Sequence, residues 1–341
     1  MPMAVEQVRR MRGGAQSHLM RCDDGGYYIV KFQNNPQGVR VLANELLGTR
    51  LAARLGIPVP GAEIVTVRED LIRYTEDLVM QLGRGRAPCT PGKQFGSRFP
   101  GSPAETAVSD FLPEELLRGV TNLEDFCGIL AFDKWTCNTN GRQAIFFRTP
   151  VRGPRGEARA PAGGPPYRGP TPPAGVSVAV APARGSGKEV PARGSREFDK
   201  EVPARGLRSE IPVRGVKEMA PARSLEGEAG RYRAVMIDQG FCFNAGEWNF
   251  PDAPLRGLYA RHRVYEGVRG IGSFEKWIAR IEKIGETAMD EIAREIPPEW
   301  YEDDLDALYR LMEQLLRRRT LVPELVRSAW RSTAQPFPNW R

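Results

Sequence analysis

Asp133, Asn138, Asn140, Arg142 and Gln143 fall within eleven residues of the stretch AFDKWTCNTNGRQAIFF, positions 131–147. A carboxylate, amides and a guanidinium at that density can bind and orient a polar substrate, and Gly141 allows a tight turn among them. An apolar helix end (Leu130, Ala131, Phe132) precedes the loop and a β-type run (Ala144, Ile145, Phe146, Phe147) follows it. Folds present chemistry at a rigid edge in this way. Far downstream, RAVMIDQGFCF at 233–243 places Asp238 at the end of an apolar strand, two residues before Gly240. A polar loop, a strand and then a strand-terminal Asp is the layout of a phosphotransfer site, with a base and a metal ligand on neighbouring strands. The bland reading of both stretches is two loop edges with ordinary turn residues.

Elements on either side must position these groups. Leu19 and Met20 start a strand, Asp24, Gly25 and Gly26 make a hairpin turn, and residues 27–32 pair back. Ahead of the hairpin, Gly13, Gly14, Gln16 and Ser17 form a small flexible turn whose backbone N–H groups can approach phosphate oxygens. Lys31 lies inside an apolar strand, where an unpaired ammonium is expensive, so it requires an anionic partner. The segment VRVLANELLGTRLAARLG, 39–56, has helical periodicity, with Gly56 as its stop. It offers Glu45 among apolar neighbours, and a strand Lys with a helix Glu can form the pair that positions nucleotide phosphates. IPVPGAEIVTV and DLIRYTEDLVMQL read as strands, the second leading to a hinge between lobes at Met80 and Leu82. Residues 83–112 read as loop-rich. Residues 114–132 read as helical, with Asn122 or Thr121 as N-cap. The C-terminal third gives two or three helices with core stripes of Trp277, Ile278, Ile281, Ile284 and of Leu305, Leu308, Leu311, Leu315. Arg317, Arg318 and Arg319 read as a solvated, dipole-matched helix end.

With 341 residues and 41% hydrophobic content the chain can bury a sizeable core. Its net charge of +7 points to nucleic acid only superficially. Residues 151–230 hold 14 Lys/Arg against 9 Asp/Glu, so +5 of the +7 sits there, with only Tyr167 and Phe198 as aromatics and no stacking platform. The same segment has 12 Pro and 13 Gly and an irregular repeat, EVPARG at 189–194 and 201–206 and EIPVRG at 210–215. That composition reads as a disordered insertion. The strands on either side of it can still be neighbours, because loop closure costs little more as a loop lengthens. Five scattered cysteines without a CxxC pair, and no signal-type apolar run, suit a reducing cytoplasm. No run reaches the roughly 18–20 apolar residues of a membrane span.

In order, GGAQSHLM, YYIVKF, ANELLGTRLAARLGIPVP, DKWTCNTNGRQ and MIDQGF resemble the HipA-like kinase family over about residues 10–147 and 231–330. The resemblance implies an α+β, two-lobed, protein-kinase-like fold related to the phosphoinositide kinases. A small β-rich N-lobe would span 1–82 and a larger helical C-lobe 83–150 and 231–341, with the insertion at 151–230. It implies phosphoryl transfer from ATP with Mg²⁺ to a protein Ser/Thr. Residues 13–17 would be the phosphate loop, Lys31 would contact the phosphates and Glu45 would orient Lys31. Met80 and Leu82 would line the nucleotide site. The loop after Trp135 would be catalytic, and Asp238, with Asn138, would hold the metal. HipA-like toxins usually act with a DNA-binding partner protein, so nucleic acid enters the expectation only through such a partner.

One departure matters. Where the family pattern reads N-x-D-x-[RH], this chain has Asn138-Thr139-Asn140-Gly141-Arg142, so the expected catalytic Asp is Asn140. An amide cannot accept the hydroxyl proton, and general-base catalysis is worth roughly 10²–10⁴-fold. The family's second metal ligand falls on Ile145, which cannot coordinate a cation. Asp133 is the nearby carboxylate that can substitute, or else is a structural anchor, and Arg142 neutralises charge or braces the loop. Three readings follow: a kinase, in which Asn140 and Asp133 orient the acceptor; a nucleotide-binding pseudokinase that serves as an interaction module; and, as the weakest, a kinase that acts on a small molecule.

Overall fold

The computed structural model describes residues 1–148 and 232–341. The N-terminal part is built from β1 (Ala4–Arg10), β2 (His18–Cys22), β3 (Tyr27–Lys31), α1 (Arg40–Arg54), β4 (Ala62–Val67), α2 (Glu69–Arg73), β5 (Val79–Leu82), β6 (Gly85–Pro88) and β7 (Gly92–Arg98). Five strands form one sheet in the order β1-β2-β3-β7-β4. Its two ends meet through a parallel bridge between Met3 and Thr66, and Thr66 N donates to Pro2 O at 2.9 Å. The sheet therefore curls around Met20, Tyr28, Val30, Phe32 and Val65, and Met80 of the separate β5–β6 hairpin packs into the same cluster.

The hairpin expected at 18–32 is present as β2 and β3. β1 has a surface-strand pattern with only Ala4 buried, which hides it from a hydrophobicity reading. Two other expectations are corrected. The run DLIRYTEDLVMQL is not one strand: residues 69–73 make a helical turn and only 79–82 is extended. Residues 83–112 are not mainly loop, because β6 pairs with β5, and β7 fills the sheet between β3 and β4. The sheet thus runs on to Arg98, beyond Leu82, and the chain leaves it at residues 99–101. Met80 and Leu82 form one side of a hairpin and do not lie at a crossing point.

The C-terminal part comprises β8 (Val108–Ser109), α3 (Glu114–Leu117), α4 (Asp125–Thr136), β9 (Gln143–Arg148), β10 (Tyr232–Ile237), α5 (Glu275–Glu282), α6 (Glu286–Glu295), α7 (Leu305–Arg318) and α8 (Val322–Trp330). The chain is thus α+β, with a β-rich N-terminal sheet and a helical C-terminal region. β9 and β10 pair antiparallel from Arg148–Tyr232 to Gln143–Ile237, so the strands flanking 149–231 are neighbours. The expected insertion, 151–230, lies outside the described residues.

α4 is buried on every side from Phe126 to Thr136, which makes it the central helix of this region. Trp135 is wholly buried and its Nε1 donates to Leu315 O at 2.8 Å. The expected single helix over 114–132 is two, and its N-cap is not Asn122. The Asn122 amide instead exchanges hydrogen bonds with both backbone groups of Ala234 on β10, at 2.9 Å each. Leu305 is 48% exposed because it opens α7 directly after Asp304, whose Oδ1 caps Ala307 N. Arg318 is corrected more sharply. It is buried, donates to the α4 carbonyls of Lys134 and Trp135 at 3.0 Å each, and pairs through two nitrogens with Asp252. A cation there satisfies orphan carbonyls at a helix C-terminus. Among the described residues no helix is long and apolar enough to cross a membrane.

Candidate functional site

Lys31, at the end of β3, has its Nζ 2.7 Å from Asp238 Oδ1 and in contact with Glu45 Oε1. Glu45 lies on the inner face of α1, 3% exposed, and also accepts backbone N–H groups from Gln239 and Gly240 at 3.0 Å each. One carboxylate thus fixes both the ammonium and the loop that carries Asp238. Burial alone depresses the Lys31 pKa, but Glu45 and Asp238 outweigh it and hold the ammonium above the ordinary lysine value. For Asp238 burial works upward, and Lys31 overrides it, keeping the carboxyl below its usual value. Asp238 itself sits at φ 65°, a left-handed conformation uncommon for a side-chain-bearing residue. Gly48 on α1 permits the close approach, since a Cβ there would stand 2.8 Å from Gln239 Cβ.

The second cluster is the loop after α4. Asp133 and Arg142 are both buried; Arg142 Nε donates to Asp133 Oδ2 at 2.8 Å, and its second nitrogen contacts Oδ1. The remaining guanidinium nitrogen donates to Ile237 O at 2.7 Å and Asp238 O at 3.1 Å. Arg142 therefore ties the loop to the backbone of the strand-terminal Asp, which joins the two clusters. Gly257 closes over Asp133: it adopts φ 74°, and a Cβ there would fall 2.3 Å from Asp133 Cβ. With both oxygens committed to Arg142 and no solvent contact, Asp133 has the surroundings of an anchor. A proton acceptor for a substrate hydroxyl needs hydrogen-bond reach to that hydroxyl. Asn138 is also consumed internally, its Nδ2 on Asp133 at 3.2 Å and its Oδ1 accepting Asn140 N at 3.1 Å. Asn140 is exposed, with its Oδ1 on Gly141 N at 2.9 Å.

The other candidate residues spread out. Gly13 and Gly14 are exposed in the β1–β2 loop. Gln16 pairs its amide with the backbone of Gln81, N to Oε1 at 2.7 Å and Nε2 to O at 2.8 Å, which tethers that loop to β5. Ser17 is buried and its carbonyl accepts from Met11 N at 2.8 Å. Met80 is buried on β5 and Leu82 is exposed at the end of that strand. A cavity of about 260 Å³ instead opens beside residues 99–101, lined by Val59, Phe99, Pro100, Ile145, Phe147 and Val235. A larger cavity, about 600 Å³, lies around Trp277, and neither cavity shares a residue with either cluster.

The donor set bears on a metal. Mg²⁺ is typically held by one or two carboxylates together with substrate phosphates and water. Asp238 supplies one carboxylate, while Asn138 is turned to its own loop and Ile145 is apolar. Among the described residues no group of three His, Cys, Asp or Glu could hold a metal ion. The residues fit a cation brought in with phosphates.

Two contributors lay outside the sequence reading, Asn44 and Lys134, while Arg318 was expected to be solvated. Lys134 is buried, and its Nζ donates to Pro254 O at 2.7 Å and Ala253 O at 3.1 Å. A polar residue inside an apolar helical run, as in VLANELL or ILAFDKW, was the available signal. Residues 4–144 of the chain match the family model described as HipA-like kinase. That match takes in Lys31, Glu45, Asp133, Asn140 and Arg142, and ends before Asp238. No curated protein matches the chain.

Proposed function

Because residues 4–144 match HipA-like kinases, we propose that this chain is a two-lobed kinase that binds ATP with Mg²⁺ and transfers the γ-phosphoryl group to a protein Ser/Thr. The observation that carries the reading is the Lys31–Glu45–Asp238 triad, which brings three ionised groups together from three elements at the meeting of sheet and helices. A merely structural core gains little from such a cluster, since burying charges costs more than packing apolar side chains in their place. In this site Lys31 contacts the phosphates, Glu45 holds Lys31 in place, and Asp238 holds the cation. Mg²⁺, when bound, neutralises charge that develops on the transferring group. Arg142 fixes the backbone at 237–238, so the carboxylate is presented from a rigid loop. The apolar cavity lined by Ile145, Phe147 and Val235 suits a nucleobase.

A second reading is favoured by one observation. Asn140 occupies the base position, and the carboxylate nearest to it in sequence, Asp133, is locked to Arg142. A site so arranged binds nucleotide but lacks a proton acceptor, as a pseudokinase does. Incubation with γ-labelled ATP separates the two. Transfer of label to the chain or to an added protein, lost in Lys31→Met and Asp238→Asn, supports the kinase. Nucleotide binding without any transfer supports the pseudokinase.

A further inference from the structure

We propose that Asn44 is a positioning residue that sets Asp238 for the cation, so that it governs the Mg²⁺ dependence of nucleotide binding; this rests on the nucleotide reading above. Asn44 lies one residue before Glu45 on α1 and is wholly buried. An amide on a buried helix face is costly unless each of its polar atoms is satisfied. Here every one is. Its Nδ2 donates to Ala245 O at 2.7 Å, Gly240 O at 2.9 Å and Cys242 O at 3.1 Å, and its Oδ1 accepts Trp248 Nε1 at 2.8 Å.

These four partners all belong to the segment that follows Asp238. Within it Phe243, Asn244, Ala245 and Trp248 hold φ values between 50° and 59°, a left-handed backbone that persists only with outside support. Gly240 is gripped at both ends, its N–H by Glu45 and its carbonyl by Asn44. Adjacent residues of one helix thereby fix both peptide groups of the residue two positions beyond the metal-holding carboxylate. Arg40, one turn earlier, adds a bond to Gly246 O at 3.2 Å and lies 4.7 Å over the Trp248 ring. Groups that orient a ligand from behind commonly shift metal affinity 10- to 100-fold when removed.

The test uses the purified full chain and titrates ATP with Mg²⁺ and with EDTA, taking the ratio of the two affinities. Asn44→Asp keeps the acceptor for Trp248 and loses the amide donor to the three carbonyls; Asn44→Ser is a smaller second variant. In folded Asn44→Asp or Asn44→Ser the ratio is expected to fall about tenfold or more, with the EDTA affinity unchanged. Trp248→Phe, which spares the amide donors, is expected to keep the ratio. A ratio unchanged in a folded Asn44 variant, while Asp238→Asn abolishes it, overturns the proposal and leaves the nucleotide reading intact. Failure of both Asn44 variants to fold also overturns it, assigning Asn44 to stability. A wild-type chain with no Mg²⁺ dependence overturns the nucleotide reading, and this proposal with it.

Discussion

Lys31 Nζ stands 2.7 Å from Asp238 Oδ1 although 207 positions separate the two residues in sequence. Neither residue is held by its own strand alone. Glu45 grips Lys31 from one side and the N–H groups of Gln239 and Gly240 from the other, while Arg142 fixes the carbonyl of Asp238. The pair is therefore a convergence of β3, α1, the loop after α4 and the end of β10.

Asp133 and Arg142 act as an anchor in this arrangement, and that assignment has a stability signature. Breaking one partner of a fully buried pair leaves an uncompensated charge and costs about 3–5 kcal/mol. Arg142→Gln is expected to lower the unfolding free energy by that order, read as a lower urea midpoint at unchanged slope. Unchanged stability would return Asp133 to candidacy as a free carboxylate.

Asn140 is exposed and makes only local backbone contacts, so its replacement leaves the fold alone. Asn140→Asp restores a proton acceptor, and single-turnover transfer to a hydroxyl acceptor is expected to rise by about 10²-fold or more. ATP affinity is expected to stay the same, because the proposed site holds nucleotide through Lys31, Glu45 and Asp238. An unchanged rate would show that proton acceptance at position 140 does not limit transfer.

His18 provides a pH signature. It is wholly buried on β2, beside Gln7 and edge-on to Phe32, and burial lowers its pKa to about 4. The unfolded chain, with an ordinary histidine near 6.5, then binds more protons than the folded chain between those values. Stability is complete above that window and falls as pH drops through it. The loss amounts to about 2 kcal/mol between pH 8 and pH 5. Thermal melts across that range are expected to show a downward slope that His18→Phe flattens; equal slopes in both proteins would contradict the assignment.

Gln239 packs against Gly48 of α1, and its Oε1 is buried without a hydrogen-bond partner among the described residues. Leaving a buried acceptor unsatisfied costs about 1–3 kcal/mol. Gln239→Met keeps the length of the side chain and removes that acceptor, so the melting temperature is expected to rise. A fall would mean that the amide makes a contribution its partners do not reveal.

Much of this was legible in the sequence because the signals were local. A charged residue inside an apolar strand demanded a partner, and the helix that follows offered Glu45. The β2–β3 hairpin carried its own turn residues, and Trp277, Ile281 and Leu311 carried helical periodicity into the core. What escaped depended on distant contacts. β1 has almost no buried face, β7 is interrupted by Gly92 and Gly96, and only pairing with β3 and β4 makes it a central strand. That missing strand moved the expected crossing point to Met80 and Leu82. Arg318 looked solvated because Asp252 and the α4 carbonyls that enclose it are far away in sequence. Asn44 was hidden in the same way, since its partners lie about 200 positions downstream, up to 204 for Trp248.

The central claim, a nucleotide site built on Lys31, Glu45 and Asp238, is tested most directly by calorimetric titration of ATP into the purified chain with and without Mg²⁺. The account predicts that Mg²⁺ tightens binding in the wild type and that Asp238→Asn abolishes the tightening while the protein stays folded. Absence of ATP binding at every Mg²⁺ concentration, or tightening of equal size in Asp238→Asn, would contradict it.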